Sequence, residues 1–425
     1  MTRTTTVTRT TQRSIPARSL VALVLAFLLG SACGPTPPPP PAATSPEATA
    51  NLDGTGAGGT AAPPRPAPGH ELYGYLPYWE MDDTIADHLR TTPLTTLGLF
   101  SVTDTARGDL DTRRTGYKRI TGDPGTRIIR EAHERAVRVE LVFTSFGTAR
   151  NRALFADETR QDATIAALVA LAGDLGLDGI NVDIEGLDPL SVMDYGAFVG
   201  RLRAAVVAAD GGDRVTVATQ ANVLGAAMAA AAVAAGADRA FLMGYDYRVA
   251  GSSPGATSPL DRRDGDRDLA WSIELYAAAA VPPQRILLGL ALYGMTWPVA
   301  GPVVGAPETG RGEAWIPRRN RDLLLDAAIV PLRDGQEQVE VYLFGSDGTV
   351  GPPSPGASPP PDDRTWTAVY VDSPATLAPK LDLATGNGFA GAGFWAIGYE
   401  RGLPGYTELM ERFVAGEPLS TAAGG

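Results

Sequence analysis

Two hydrophobic rhythms alternate along the chain beyond residue 70. Short runs rich in β-branched, leucine and aromatic residues stand at 72–76, 95–100, 139–143, 179–184, 215–218, 240–243, 286–290 and 391–395, each the length of a strand. Between them, 162–175, 190–209, 224–235, 268–280 and 374–386 carry good helix formers with apolar residues three and four apart, which predicts helices with one buried face. Strand followed by helix, repeated, is the pattern of a parallel sheet, and eight such units close into a (β/α)8 TIM barrel of the α/β class. Chemistry in that fold gathers at the C-terminal ends of the strands. Residues from about 300 to 364 break the rhythm: a hairpin pattern at 339–344, then Gly345-Ser346-Asp347-Gly348, then a proline-rich loop from Pro352 to Pro361. They read as an insertion after the seventh strand that forms one wall of the cleft.

The fourth strand carries the strongest chemical signal. Residues two apart share a face of an extended strand, so Asn181, Asp183 and Glu185 point one way while Ile180, Val182 and Ile184 point the other. A strand of a parallel sheet is covered on both faces. Unpaired carboxylates buried there cost several kcal/mol in effective terms, about enough to demand a partner, a metal or a catalytic task. Asp178, at the strand entrance and on the opposite parity, reads as structural.

Composition narrows the alternatives. At 425 residues the chain buries a core without needing a metal or disulfide staple, and its single cysteine forms no intramolecular bridge. A net charge of −12 with no stripe of Lys and Arg argues against a nucleic-acid partner. His70, His88 and His133 are scattered, so neither a metal site nor a cofactor is expected. Residues 1–32 read as an export signal: Arg3, Arg9, Arg13 and Arg18 precede an apolar segment at 19–29 too short to span a membrane comfortably. Leu29-Gly30-Ser31-Ala32-Cys33 resembles the lipobox of bacterial lipoproteins, with Gly30 where that motif usually has leucine, and makes Cys33 the expected lipidation site. Residues 33–69, rich in Pro, Ala and Gly, read as an extended tether to a folded domain at 70–417, and 418–425 as a flexible tail. The expected location is the bacterial cell envelope, as a lipid-anchored or secreted protein acting as a monomer.

The stretch Asp178-Gly179-Ile180-Asn181-Val182-Asp183-Ile184-Glu185 resembles the Asp-Gly-x-Asp-x-Asp-x-Glu signature of glycoside hydrolase family 18, the chitinase family, departing from it at Asn181. Met243-Gly244-Tyr245-Asp246 is similar to that family's Met-x-Tyr-Asp, and Trp395 in Gly391-Ala392-Gly393-Phe394-Trp395-Ala396 to its strand-eight tryptophan. Leu292-Tyr293-Gly294-Met295-Thr296-Trp297, with Asn181, is closer in pattern to the spore-cortex-lytic branch. The resemblance covers roughly residues 70 to 415 and implies hydrolysis of β-1,4 bonds following N-acetylglucosamine, in peptidoglycan or chitin. It further implies a retaining mechanism in which the sugar's own acetamide oxygen attacks, so that the protein supplies one general acid. On that reading Glu185 is the acid, its pKa raised by enclosure and by the Asp183 charge, and Asp183 orients the acetamide and offsets positive charge. Tyr245 holds the acetamide oxygen, Asp246 contacts the same or the next sugar, and Met243 and Trp395 form an apolar floor. Asn181, Tyr75, Phe100, Tyr293 and Trp297 are the remaining candidate substrate contacts, with Tyr78 and Trp79 as further wall residues. Asn181 in place of aspartate is expected to make Asp183 easier to ionise.

A competing reading is a surface lipoprotein with a chitinase fold that binds carbohydrate without turning it over. The family's lectin-like members usually lose the acid, whereas Glu185 is present here. A purely structural scaffold leaves the acidic, aromatic-lined strand ends unexplained.

Overall fold

A computed structural model describes residues 69–209, 214–351 and 364–420. The expected signal at 1–32, Cys33, the tether up to residue 68, the Pro352–Pro361 loop and the last five residues of the tail lie outside the described residues.

Seven strands come first in chain order: β1 (Glu71–Pro77), β2 (Thr96–Val102), β3 (Arg138–Phe146), β4 (Gly179–Glu185), β5 (Arg214–Gln220), β6 (Arg239–Met243) and β7 (Ile286–Ala291). Five more follow, β8 (Gly294–Val299), β9 (Glu313–Trp315), β10 (Leu332–Asp334), β11 (Val339–Gly345) and β12 (Trp366–Val371), and then β13 (Gly391–Trp395). Strands β1 to β7 and β13 close into an all-parallel barrel in which β13 joins β7 to β1. All eight runs expected as barrel strands are barrel strands, and the fold is the (β/α)8 barrel that the two rhythms predicted.

Helices Glu158–Leu175, Val192–Ala208, Val223–Ala234, Leu269–Ala278 and Pro374–Gly386 answer the five predicted helical stretches. Three of them start at side chains that satisfy otherwise unpaired amides. Asp157 accepts from the Arg160 amide at 3.0 Å, and Asn222 and Asp268 accept from Gly225 and Trp271 at 2.9 Å. Such a cap stabilises a helix by roughly 1 kcal/mol. Leu168, Leu202 and Val206 are fully buried in the same core as the outward row Ile180, Val182 and Ile184 of β4. Burying one such side chain contributes about 1.5–3 kcal/mol.

The barrel interior is a second, separate core of large rings. Tyr73, Tyr75 and Phe241 pack there with Val142, Ala218 and Leu287. Glycines make the space: a Cβ on Gly289 would lie 2.3 Å from the Phe241 ring, and one on Gly393 2.6 Å from its other edge. Beneath the rings, Tyr73 and Thr216 hydroxyls both donate to Glu140 at 2.9 Å, and burial pushes that carboxyl up to about 7. Arg214 and Arg239 pair with Glu71 at the N-terminal mouth. Among the described residues the barrel is therefore plugged from below, and a cleft opens at its C-terminal end.

The break in rhythm after β7 is a five-stranded antiparallel sheet in the order β10, β11, β12, β8, β9. Two expectations about it are corrected. Among the described residues, none from 294 to 371 lines the cleft, so the described part of the insertion is not a cleft wall. Trp297, on β8, is fully buried within the insert and packs edge-on to Tyr370 at 5.9 Å, out of reach of any ligand in the cleft. The reason is pairing: β8 is hydrogen-bonded to β12 on one side and β9 on the other, and the face that carries Met295, Trp297 and Val299 packs into the main core shared with the barrel. What the sheet does hold is the long segment after β6. Buried Arg248 donates to buried Glu337 at 2.5 Å, and Glu337 also accepts from the amides of Ala256 at 2.7 Å and Arg263 at 3.1 Å. Among the described residues, no helix is long and apolar enough to cross a membrane.

Candidate active site

The C-terminal ends of the barrel strands surround a cleft of about 960 Å3. Glu185, Asp183, Tyr245, Met243, Asp246, Trp395, Tyr75, Phe100 and Tyr293 all line it, as do Tyr78 and Trp79. The strand pleat explains the convergence, because each residue stands near or just beyond the C-terminal end of its strand.

Asp183 lies deep, 4% exposed, with one carboxyl oxygen that has no hydrogen-bond partner. Burial holds its pKa well above the ordinary carboxylate value, and the charge of Glu185 adds to the rise. Glu185 sits one pleat higher and half-buried at the rim. Burial is the leading cause of its raised pKa, and the Asp246 carboxylate pushes the same way. A 3.3 Å hydrogen bond from the Gln220 amide, which favours the ionised form, opposes them. Asp246 thus adds to the interaction between Glu185 and Asp183. The two coupled carboxyls resist carrying two charges at once, so the pair tends to retain a proton. Glu185 is also fixed through its backbone, whose carbonyl accepts from the Asn151 side chain at 2.6 Å and the Gly147 amide at 2.9 Å.

Aromatic rings form the floor and one side. Trp395 meets Phe100 edge-on at 4.6 Å and lies 5.6 Å from Tyr75. Tyr245 faces Tyr293 at 6.3 Å, and the Tyr293 hydroxyl donates to Asp246, whose backbone takes a left-handed φ of 60°. Aspartate tolerates that conformation better than most residues, and here it turns the carboxyl back toward the tyrosine. Asp246 borders the open cleft, yet enclosure of its carboxyl end raises its pKa.

Asn181 departs from expectation. It is fully buried and does not line the cleft; its amide donates to the Tyr73 hydroxyl at 3.0 Å and the Tyr75 hydroxyl at 2.9 Å. Each step of two along a strand descends about 6.6 Å, so the third member of the row lies a layer beneath Asp183 and two beneath Glu185. Its role is to orient the tyrosines under the floor, and Asp183 keeps a raised pKa despite the missing charge. Asp178 accepts from the Val139 amide at 2.7 Å and contacts His133 at 2.9 Å, tying the start of β4 to β3. His88 contacts Glu400 at 2.7 Å, away from the cleft.

Several cleft residues escaped the sequence reading. Gln220 follows Ala218 by two on β5, and parity alone finds it once the strand is read to its true end. Arg262 and Arg267 come from the segment after β6, where no period marks them, and Trp271 from the first turn of the helix that follows. Among the described residues there is no cluster of three His, Cys, Asp or Glu able to hold a metal.

Comparison with known proteins agrees with this geometry. The profile of glycosyl hydrolases family 18 matches residues 126–400. In sequence the chain is 25% identical over 169 residues to Nod factor hydrolase protein 1 of Medicago truncatula, across 37% of this chain and 38% of that protein. The chain therefore matches well under two thirds of that relative's length. In structure it is similar to the spore cortex-lytic enzyme SleL of Bacillus cereus, with a TM-score of 0.62, 18% identity, and coverage of 82% of this chain and 74% of that one. It is similar also to a family 18 N-acetylglucosaminidase of Paenibacillus barengoltzii, with a TM-score of 0.63, 18% identity, and coverage of 82% and 99%.

Proposed function

The chain belongs to glycosyl hydrolases family 18, and from that membership we propose that it cleaves β-1,4 bonds after N-acetylglucosamine in a cell-wall or chitin-type polysaccharide, with retention of configuration. The observation that carries the reading is Asp183: a desolvated carboxyl with an unpartnered oxygen, set directly below the raised-pKa acid Glu185 in an aromatic cleft. Glu185 protonates the leaving oxygen and afterwards draws a proton from water. The sugar's acetamide oxygen attacks the anomeric carbon, while Asp183 accepts the acetamide N–H and offsets the charge of the oxazolinium. Tyr245 steadies the acetamide oxygen, and Met243 and Trp395 support the ring's C–H face. Export through the N-terminal signal, with a lipid on Cys33 or as a secreted monomer, completes the proposal.

Incubating the chain with purified peptidoglycan and, separately, with chitin oligosaccharides is expected to release products with new N-acetylglucosamine reducing ends. Mass spectrometry identifies them, and proton NMR during the first turnovers shows the β anomer. No release from either polymer overturns the proposal in favour of a carbohydrate-binding protein.

The acid's tuning makes a second expectation. Asp246 lies near Glu185 and its negative charge raises the Glu185 pKa. Removing that charge lets Glu185 lose its proton at lower pH, and a deprotonated acid cannot protonate the leaving group. Asp246→Asn should therefore move the alkaline limb of kcat to lower pH. A limb that stays in place or moves upward excludes this electrostatic role.

A further inference from the structure

We propose that the cleft wall between β6 and the helix Leu269–Ala278 is a subsite for an anionic substituent, so that the substrate is an acidic amino-sugar polysaccharide bearing carboxylates. The inference rests on the glycosidase reading and narrows its substrate class. A chain of net charge −12 lines its cleft with four arginines, Arg114, Arg150, Arg262 and Arg267. The carboxyls that share the cleft lining with these four guanidiniums are three, Asp183, Glu185 and Asp246. Uncharged chitin offers a cationic wall nothing to pair with.

Three of the four arginines already meet a carboxylate, and among the described residues Arg267 does not. Arg150 shares Asp104 with Arg160, and Arg114 shares Asp111 with Arg113, so each pair of guanidiniums meets one carboxylate. Arg262 is committed, to Asp264 at 2.9 Å and to the Tyr247 carbonyl at 3.1 Å. Arg267 has no carboxylate partner among the described residues. The neighbouring Asp268 is occupied in capping the helix through the Trp271 amide at 2.9 Å. The Arg267 guanidinium lies over the Trp271 ring, 5.7 Å from its centroid, and both residues line the cleft. Stacking holds the planar fork in place and leaves its N–H groups for a ligand, the arrangement in which arginine takes a carboxylate through two parallel hydrogen bonds.

Binding separates this idea from turnover. The full chain carrying Glu185→Gln, which keeps a substrate intact, is titrated calorimetrically with a tetrasaccharide of alternating N-acetylglucosamine and N-acetylmuramic acid, and with the same molecule as its methyl ester. The carboxylate form is expected to bind about fivefold tighter at low salt, the size of an exposed charge pair near 1 kcal/mol. That advantage shrinks as ionic strength rises. Adding Arg267→Gln should bring the ratio to within about twofold. Equal affinity for the two forms overturns the proposal, as does a ratio that survives Arg267→Gln, since a purely packing role would weaken both ligands alike. Binding of neither form overturns it together with the glycosidase reading. A wild-type chain that discriminates between the two yet cleaves neither sinks the glycosidase reading alone.

Discussion

Glu185→Gln is expected to lower kcat by about 10²–10⁴-fold, the range spanned by losing a positioned proton donor. Glutamine keeps the shape of the side chain and its place beside Gln220, which now donates to the carboxyl oxygen at 3.3 Å, but it has no proton to give to a leaving sugar. Stability should move the other way. Burial raises the Glu185 pKa, so in the folded state the carboxyl binds its proton more tightly than in the unfolded chain. Such a group favours the fold below its unfolded pKa, and that contribution is lost as pH rises through the folded value. At neutral pH the glutamine variant should therefore melt at the same or a higher temperature than the parent, with the gap closing in acid. Initial rates of reducing-end release and thermal melts at two pH values test both halves. A variant that is inactive because its Tm has dropped would show a structural residue, and one that retains most of its kcat would remove Glu185 from the reaction.

Asp183→Asn is expected to cost about 10²–10³-fold in kcat, comparable to losing a preorganised electrostatic partner of a transition-state charge. The unpartnered oxygen of Asp183 already lies out of water, so the desolvation was met during folding and its attraction for an acetamide N–H and a developing positive charge is undiluted. Asparagine fits the same space but carries no charge for the oxazolinium. Because the interaction strengthens as charge develops, the loss should appear in kcat far more than in KM. A variant within about fivefold of the parent kcat would show that Asp183 does not stabilise the intermediate.

How much of this was legible differs residue by residue. The parity of β4 placed Asn181, Asp183 and Glu185 in one inward row, and the row exists. Depth along it was not legible. Where the cleft floor lies depends on rings from other strands, Tyr73, Tyr75 and Phe241, and on the glycines that admit them. Asn181 therefore falls beneath the floor while Asp183 stands above it. Trp297 looked like a wall residue because it follows β7 closely, yet the side its ring faces was decided by strands some seventy residues later in the chain. Arg267 carried no local mark, since the segment after β6 has no periodic pattern and is held in place by Arg248 and Glu337, 89 residues apart.

From the sequence by itself came the things that short-range periodicity dictates: the eight barrel strands, the helices between them, the facing of side chains along the barrel strands and the chemical types gathered at the strand ends. Those depend on backbone geometry that repeats every two or 3.6 residues, so neighbours along the chain suffice to determine them. Only the tertiary structure decided how deep each inward residue lies, that Asp246 also comes close enough to act on Glu185, which way the second sheet faces and which arginine is left unpaired. These are consequences of distance between residues far apart in the chain, and both desolvation and charge interaction depend on that distance.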